Sequence, residues 1–136
     1  MTTLDLGPVV AAARAVRVHA YAPYSKYPVG AALLTAAGRI FAGCNVENAS
    51  FGATLCAERS AVAAMVGAGE SRPVACAVVT RGPHAAAPCG ICRQVLAEFA
   101  RDMTIVLVAV DDGGIVTSRR RTTLRTLLPR AFRGPV

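Results

Sequence analysis

Four residues in two short stretches hold the chain's most specific chemistry: Cys56-Ala57-Glu58-Arg59 and Pro88-Cys89-Gly90-Ile91-Cys92. Cys89 and Cys92 stand three apart at a predicted helix start, so their thiols share a face and can chelate one ion. With Cys56 they offer three thiolates, a set that suits zinc in a tetrahedral shell at about 2.3 Å per sulfur. Three protein ligands leave the fourth corner to water, the mark of a catalytic rather than a structural site. Glu58 is two residues from Cys56, a helical spacing that points it away from the cysteine direction and off the metal. A carboxylate beside a metal-bound water is placed for proton transfer, and zinc lowers the pKa of such a water from 15.7 to about 7. Three thiolates outweigh the charge of zinc. Helix N-termini offset this, and so does Arg59, three residues from Cys56 on the same face and expected to bond the thiolates from outside the ligand shell.

Other assignments of the same residue types stay open at this point. Cys44 as a fourth thiolate would close the metal to water. Cys44 and Cys76 also fit as small apolar residues of predicted strands. His19, on the first helix, and His84, in a loop, fit as ligands or as solvated or satisfied histidines. Five cysteines, an odd number, in a chain without an export signal speak for metal binding over a disulfide framework. The net charge is +7, with 14 of 15 basic residues arginine. No aromatic stripe interleaves with the run Arg119-Arg120-Arg121, so a solvated basic surface is expected rather than a nucleic-acid track. A basic RNA-binding zinc module is the non-enzymatic alternative, and it leaves Glu58 without a task.

The elements that position these residues follow from periodicity. The 136 residues read as one domain over 1–132 with a short C-terminal tail, 133–136. No apolar run is long enough to cross a membrane and no secretory signal is visible, so a cytoplasmic protein is expected. Pro8 opens a helix to Ala20 with Val9, Ala12, Ala13, Val16 and Ala20 on one face. Segments 29–35 and 39–44 form a hairpin turning at Gly38. After a polar loop, 45–54, a helix runs from Leu55 to Val66, with Thr54 as N-cap and Gly67 as stop. Val74–Thr80 and Met103–Val110 read as buried strands. Between them Pro88 opens a helix to about Arg101, with Ile91, Val95 and Phe99 at a spacing of four. Asp112-Gly113 turns the chain into an antiparallel strand, 115–118, and Thr123–Leu128 is a short final helix. Strand–helix alternation predicts an α/β fold with a mixed sheet and helices on both faces.

These motifs resemble the zinc nucleoside and nucleobase deaminases, whose H-x-E…P-C-x-x-C signature appears here with Cys56 in place of His. The Cys-Ala-Glu-Arg variant with Pro-Cys-Gly-Ile-Cys-Arg-Gln resembles the small homotetrameric cytidine deaminases. So do Tyr21–Ala32, Gly43–Ser50 and the ending Leu127–Phe132, and the resemblance covers nearly the whole chain. It implies a three-layer α-β-α sandwich with a mixed five-stranded sheet, one zinc per subunit, and a homotetramer with shared active sites. It implies hydrolytic deamination of cytidine and deoxycytidine to uridine and deoxyuridine in pyrimidine salvage, by a zinc-bound hydroxide with Glu58 as proton shuttle. By the same resemblance Asn45 and Glu47 bind the ribose hydroxyls, the Ala57 N–H holds the base carbonyl, and Tyr27 packs near the base. Phe132 reaches a neighbouring subunit's ligand, and Ala49 and Phe51 line an adjacent site. Asn45 and Glu47 read equally as a loop pair that caps the next helix. The chain departs from the pattern at Phe51, a usual Tyr, at Ala87, often Ser, and in a final helix that is basic from Arg119 to Arg125. A deaminase of a cytosine-nucleoside antibiotic such as blasticidin S is the enzymatic alternative.

Overall fold

The structure, a computed structural model, describes residues 4–135. Its elements in order are α1 (Gly7–Arg17), β1 (Gly30–Thr35), β2 (Ile40–Cys44), a single 3-10 turn (Phe51–Ala53), α2 (Ala57–Gly67), β3 (Pro73–Arg81), α3 (Gly90–Phe99), β4 (Thr104–Val110), β5 (Val116–Thr123) and α4 (Leu124–Leu127). The five strands form one sheet in the order β2-β1-β3-β4-β5. Only β3 and β4 run parallel, joined through α3, and the other pairs are antiparallel, so the sheet is mixed as expected.

Strand parity divides the core into two layers. Ala32, Ala75, Ala77, Val79, Val106 and Val108 pack against Leu6, Val9, Val10 and Ala13 of the α1 side. Leu33, Cys76, Val78, Ile105 and Leu107 point the other way and pack against Ala61, Val62 and Met65 of α2 and Leu96 and Ala97 of α3. Successive strand residues alternate faces, so the near-continuous apolar runs of β3 and β4 are what a sheet covered on both sides requires. The three-layer α-β-α sandwich follows.

Two glycines set how closely helices approach the sheet. A Cβ on Gly30 would lie 2.1 Å from the Ala13 carbonyl oxygen of α1, and one on Gly43 would lie 2.4 Å from the Ala61 nitrogen of α2. Only a residue without a side chain lets backbone pack against backbone at these points.

Several boundaries correct the sequence expectation. Helix α1 stops at Arg17 rather than Ala20; Val18 is already 76% exposed, so the apolar stripe that supports the helix has run out. Thr54 is not the N-cap of α2: Leu55 is still extended, bridged to Val46, and Cys56 is the cap. Gly67 lies inside α2, and the reversal falls at Gly69 with φ +87°. Helix α3 is capped by Cys89, ends at Phe99, and turns Cys92, Leu96 and Ala97 fully inward, while Ile91 is 64% exposed. Strand β5 continues to Thr123, so Arg119, Arg120 and Arg121 belong to an edge strand and not to a basic helix. Helix α4 has four residues, capped by the Thr123 hydroxyl, which accepts from the Thr126 N–H at 3.2 Å. The expected free tail is tied down at its first residue: Arg133 donates to the carbonyls of Ala97 and Arg101 at 2.7 and 3.2 Å. Val136 lies outside the described residues.

Candidate metal centre and active site

Helices α2 and α3 begin side by side at the carboxyl end of the parallel pair, where sheets of this kind bind ligands. Both start on a cysteine cap. Cys56 and Cys89 have extended backbone, φ −71°, ψ 154° and φ −64°, ψ 166°, and neither uses its side chain to cap the helix. Their sulfurs are therefore available at the positive end of each helix dipole. Cys92, one turn into α3, completes the set: among the described residues this is the one group of three or more possible ligands, with all sulfurs within 4.8 Å of one another. Cys56 Sγ and Cys89 Sγ are 3.9 Å apart. Tetrahedral zinc with sulfurs at about 2.3 Å requires about 3.8 Å between them, so the donor set fits the ion. Cys44 lies on β2 and Cys76 is buried in β3, both outside the cluster. His19 and His84 are exposed and outside it too. Among the described residues no fourth protein sulfur closes the site.

The charges around the cluster are arranged as a metal site needs. The Cys56 thiol is lowered to about 5, first by the hydrogen bond from Cys92 and, against the cost of burial, by Arg59 and Cys89. Cys92 is pushed up, because it is the donor to Cys56 and is buried. Arg59 Nη2 bonds Cys56 Sγ at 3.5 Å and the Thr54 carbonyl at 3.2 Å, while its buried Nε has no partner. The geometry expected of Arg59 is present: a guanidinium resting on the thiolates, its own pKa raised foremost by that bond to Cys56.

Glu58 is 5% exposed. Desolvation by burial pushes its carboxyl up, and the negative charge of Cys56 adds to the effect. A carboxyl so placed holds a proton more readily than a solvated one, and it lies off the ligand set.

A cavity of about 290 Å³ opens over the cluster. Cys56, Ala57, Glu58 and Cys89 line one part of it, and Ser25, Tyr27, Asn45 and Glu47 another; Val29, Thr54, Val78, Thr80, Ala86 and Ala87 complete the wall. Asn45 and Glu47 do not cap α2. The Asn45 amide accepts from the Val29 N–H at 2.8 Å and donates to the Tyr27 carbonyl at 3.0 Å. Glu47 accepts from the Tyr24 and Ser25 N–H groups at 2.9 and 3.1 Å and from the Ser25 hydroxyl. That hydroxyl bond, followed by the two N–H bonds, holds the Glu47 carboxyl below the usual range. Each side chain keeps bonding capacity for a ligand after fixing the 24–29 loop.

Phe132, Ala49 and Phe51 are exposed and do not line this cavity. Phe51 is 78% exposed, with its ring edge against Tyr24, and Phe132 is 72% exposed. Sequence reasoning missed three residues. Ser25 holds Glu47. Arg93 donates to the Pro88 and Leu127 carbonyls at 2.7 and 2.8 Å, fixing the start of α3. Thr80 contributes to the cavity wall, and its buried hydroxyl has no partner. The Ser25–Glu47 and Arg93–Leu127 bonds join residues 22 and 34 apart in the chain, and Thr80 sits in a plain apolar run, so none of the three carries a local signal.

Three converging thiolates beside a buried carboxyl, at the strand ends of a three-layer sandwich, define a zinc-dependent hydrolase with a small-molecule cavity. Residues 8–109 match the family model of the cytidine and deoxycytidylate deaminase zinc-binding region, and the chain belongs to that family. It is 44% identical to a cytidine deaminase of Sporosarcina psychrophila over 131 residues, 95% of this chain and 92% of the relative. The crystal structure of a cytidine deaminase from Burkholderia pseudomallei superposes with a TM-score of 0.83 at 44% identity, covering 95% of this chain and all of that one. A blasticidin-S deaminase of Bacillus cereus is more distant, 28% identical over 79% of each chain.

Proposed function

We propose that this enzyme hydrolyses the exocyclic amine of cytidine and deoxycytidine, giving uridine and deoxyuridine and releasing ammonia. The observation that carries the reading is a cavity that joins the three-cysteine cluster and Glu58 to Asn45 and Glu47. Zinc held by Cys56, Cys89 and Cys92 supplies the Lewis acidity that makes water a nucleophile near neutral pH. Glu58 accepts one proton of the attacking water and delivers it to N3 of the base; it then takes the remaining proton from the new C4 hydroxyl and passes it to the amine, which leaves as ammonia as the C4 carbonyl forms. Its raised affinity for a proton suits a group that must both accept and return one. Ala57 is the first residue of α2, so its N–H has no partner within the helix and is free for the base carbonyl. Tyr27 flanks the base. Asn45 and Glu47 take the ribose hydroxyls with the capacity the 24–29 loop leaves them. A bare base would leave that polar pair unmatched, which selects for a nucleoside.

The assembly we propose is a cytoplasmic homotetramer serving pyrimidine salvage, in which Phe132, Ala49 and Phe51 of one subunit complete a neighbour's cavity. Their exposure in the single chain, outside the cavity of their own subunit, supports this. The deciding experiment measures ammonia release from cytidine and zinc content on the same sample. Turnover proportional to zinc, at about one ion per subunit, is expected. A zinc-replete preparation inert toward cytidine and deoxycytidine but active on blasticidin S would replace this reading with the antibiotic one. Inertness toward all three, with salt-sensitive RNA binding, would replace it with a zinc module.

A further inference from the structure

The positive charge of the chain is concentrated at one end. Residues 113–136 carry six arginines and no acidic residue, so six of the seven net charges lie in the last strand, the last helix and the segment after it. The active site uses none of these arginines. Four of the chain's guanidinium side chains line a recess of about 250 Å³ on the far side of α4: Arg101, Arg125, Arg130 and Arg133. The rest of its wall is apolar: Ala97, Leu124, Leu128 and Ala131. The arginines arrive from three segments: the end of α3, helix α4 and the chain beyond Pro129.

We propose that this recess binds a small phosphate-bearing anion of the pyrophosphate class. Four arginines line a concavity of this size, and an anion seated there can take charge-assisted hydrogen bonds from more than one of them. Among the described residues the ion pairs are Arg39–Glu70 and Arg81–Asp112, and none involves the recess. The nearby acids do not fill it. Asp102 spends one carboxylate oxygen on the N–H groups of Met103 and Arg125, and Glu98 lines a neighbouring hollow with Arg101 and Arg133. Arg133 is pre-positioned, since its two terminal nitrogens are bonded to main-chain carbonyls and the remaining donors of its fork stay available. A polyanion such as RNA fits less well. The β5 arginines opposite Val106, Leu107 and Val108 alternate between the two faces of the sheet, so they form no continuous track leading from the recess.

The test is calorimetric titration of the zinc-loaded protein with inorganic phosphate and pyrophosphate at fixed ionic strength, with zinc content measured before and after. Saturable binding of pyrophosphate is expected, tighter than that of phosphate. Arg101→Ala and Arg125→Ala should each weaken it about tenfold or more, while cytidine turnover is unchanged. Arg119→Ala/Arg121→Ala, on β5, is the control and should bind as the parent does. Equal losses in the control and the recess variants would mean a diffuse basic surface and overturn the proposal. So would binding that tracks loss of zinc, or capture of a single-stranded oligonucleotide by a protein that ignores pyrophosphate.

Discussion

At Glu58 a carboxyl is held 5% exposed beside the negative charge of Cys56, a position that costs folding free energy and that the proposed proton transfer would account for. Glu58→Gln keeps the shape and removes the ionisable group. It should lower cytidine turnover by about 10²- to 10⁴-fold while zinc content stays at the parent level and Tm is equal or higher. Retained turnover, or loss of zinc, would show that the carboxylate acts elsewhere. Arg59 operates through Cys56, so Arg59→Gln should cost about 10- to 100-fold in zinc affinity or activity, read by competition with a chelator of known strength. Intact affinity and intact turnover together would remove Arg59 from the metal site. At Glu47 the folded-state pKa is depressed, so the stabilisation it gives the 24–28 loop is complete above the ordinary carboxylate pKa of about 4.3 and is lost only as pH falls through the lower folded value. Amide exchange at Tyr24 and Ser25 should therefore stay slow down to and somewhat below that range, and Glu47→Gln should abolish this pH dependence. Opening of the loop already at mildly acidic pH would contradict the bonds to Glu47.

Elements decide whether these residues meet. Helix α2 carries Glu58 and Arg59 behind its Cys56 cap and leans on β2 at Gly43, where a Cβ would strike the Ala61 nitrogen at 2.4 Å. Gly43→Ala should push α2 off the sheet, costing about 1–3 kcal/mol and reducing turnover, because the sulfurs of α2 and α3 no longer converge. A variant of unchanged Tm and activity would mean that the helix shifts without moving the site. Sequence spacing made the ligand cluster legible, since C-x-x-C and Cys-x-Glu at helix starts constrain their geometry locally. It could not reveal that Cys56 and Cys89 are themselves the caps, because Thr54 and Pro88 are stronger local signals. In α3 the repeat Ile91, Val95, Phe99 competes with Cys92, Leu96 and Ala97, and packing of α3 on the sheet beside α2 buries the second set and leaves Ile91 exposed. Strand β5 read short because three arginines have weak strand propensity, yet on a sheet edge their charges face solvent and are tolerated. The Asn45 and Glu47 clamps on the 24–29 loop join segments 16 to 23 residues apart, beyond what local pattern records.

The whole molecule raises the question of what Phe132 is for. It is a large apolar side chain, 72% exposed, yet its carbonyl accepts from Gln94 at 2.7 Å and the next residue is fastened to α3, so the ring is displayed from an anchored main chain. Ile91 at 64% and Phe51 at 78% are exposed as well, and single exposed apolar residues are ordinary, whereas a ring displayed from an anchored main chain is placed to meet a partner. If that partner is a second copy whose cavity receives the ring, a defect in Phe132 and a defect in Glu58 lie in different subunits of the same site. Phe132→Ala should raise the KM for cytidine, and Glu58→Ala should abolish turnover. Refolded together in equal amounts, the two should form mixed tetramers in which about one site in four combines an intact Glu58 with an intact neighbouring ring. At subsaturating cytidine the mixture should then exceed the mean activity of its two parents, with light scattering confirming four subunits. Activity equal to that mean in demonstrated mixed tetramers would show that each chain builds its own site and that Phe132 serves only the subunit that carries it.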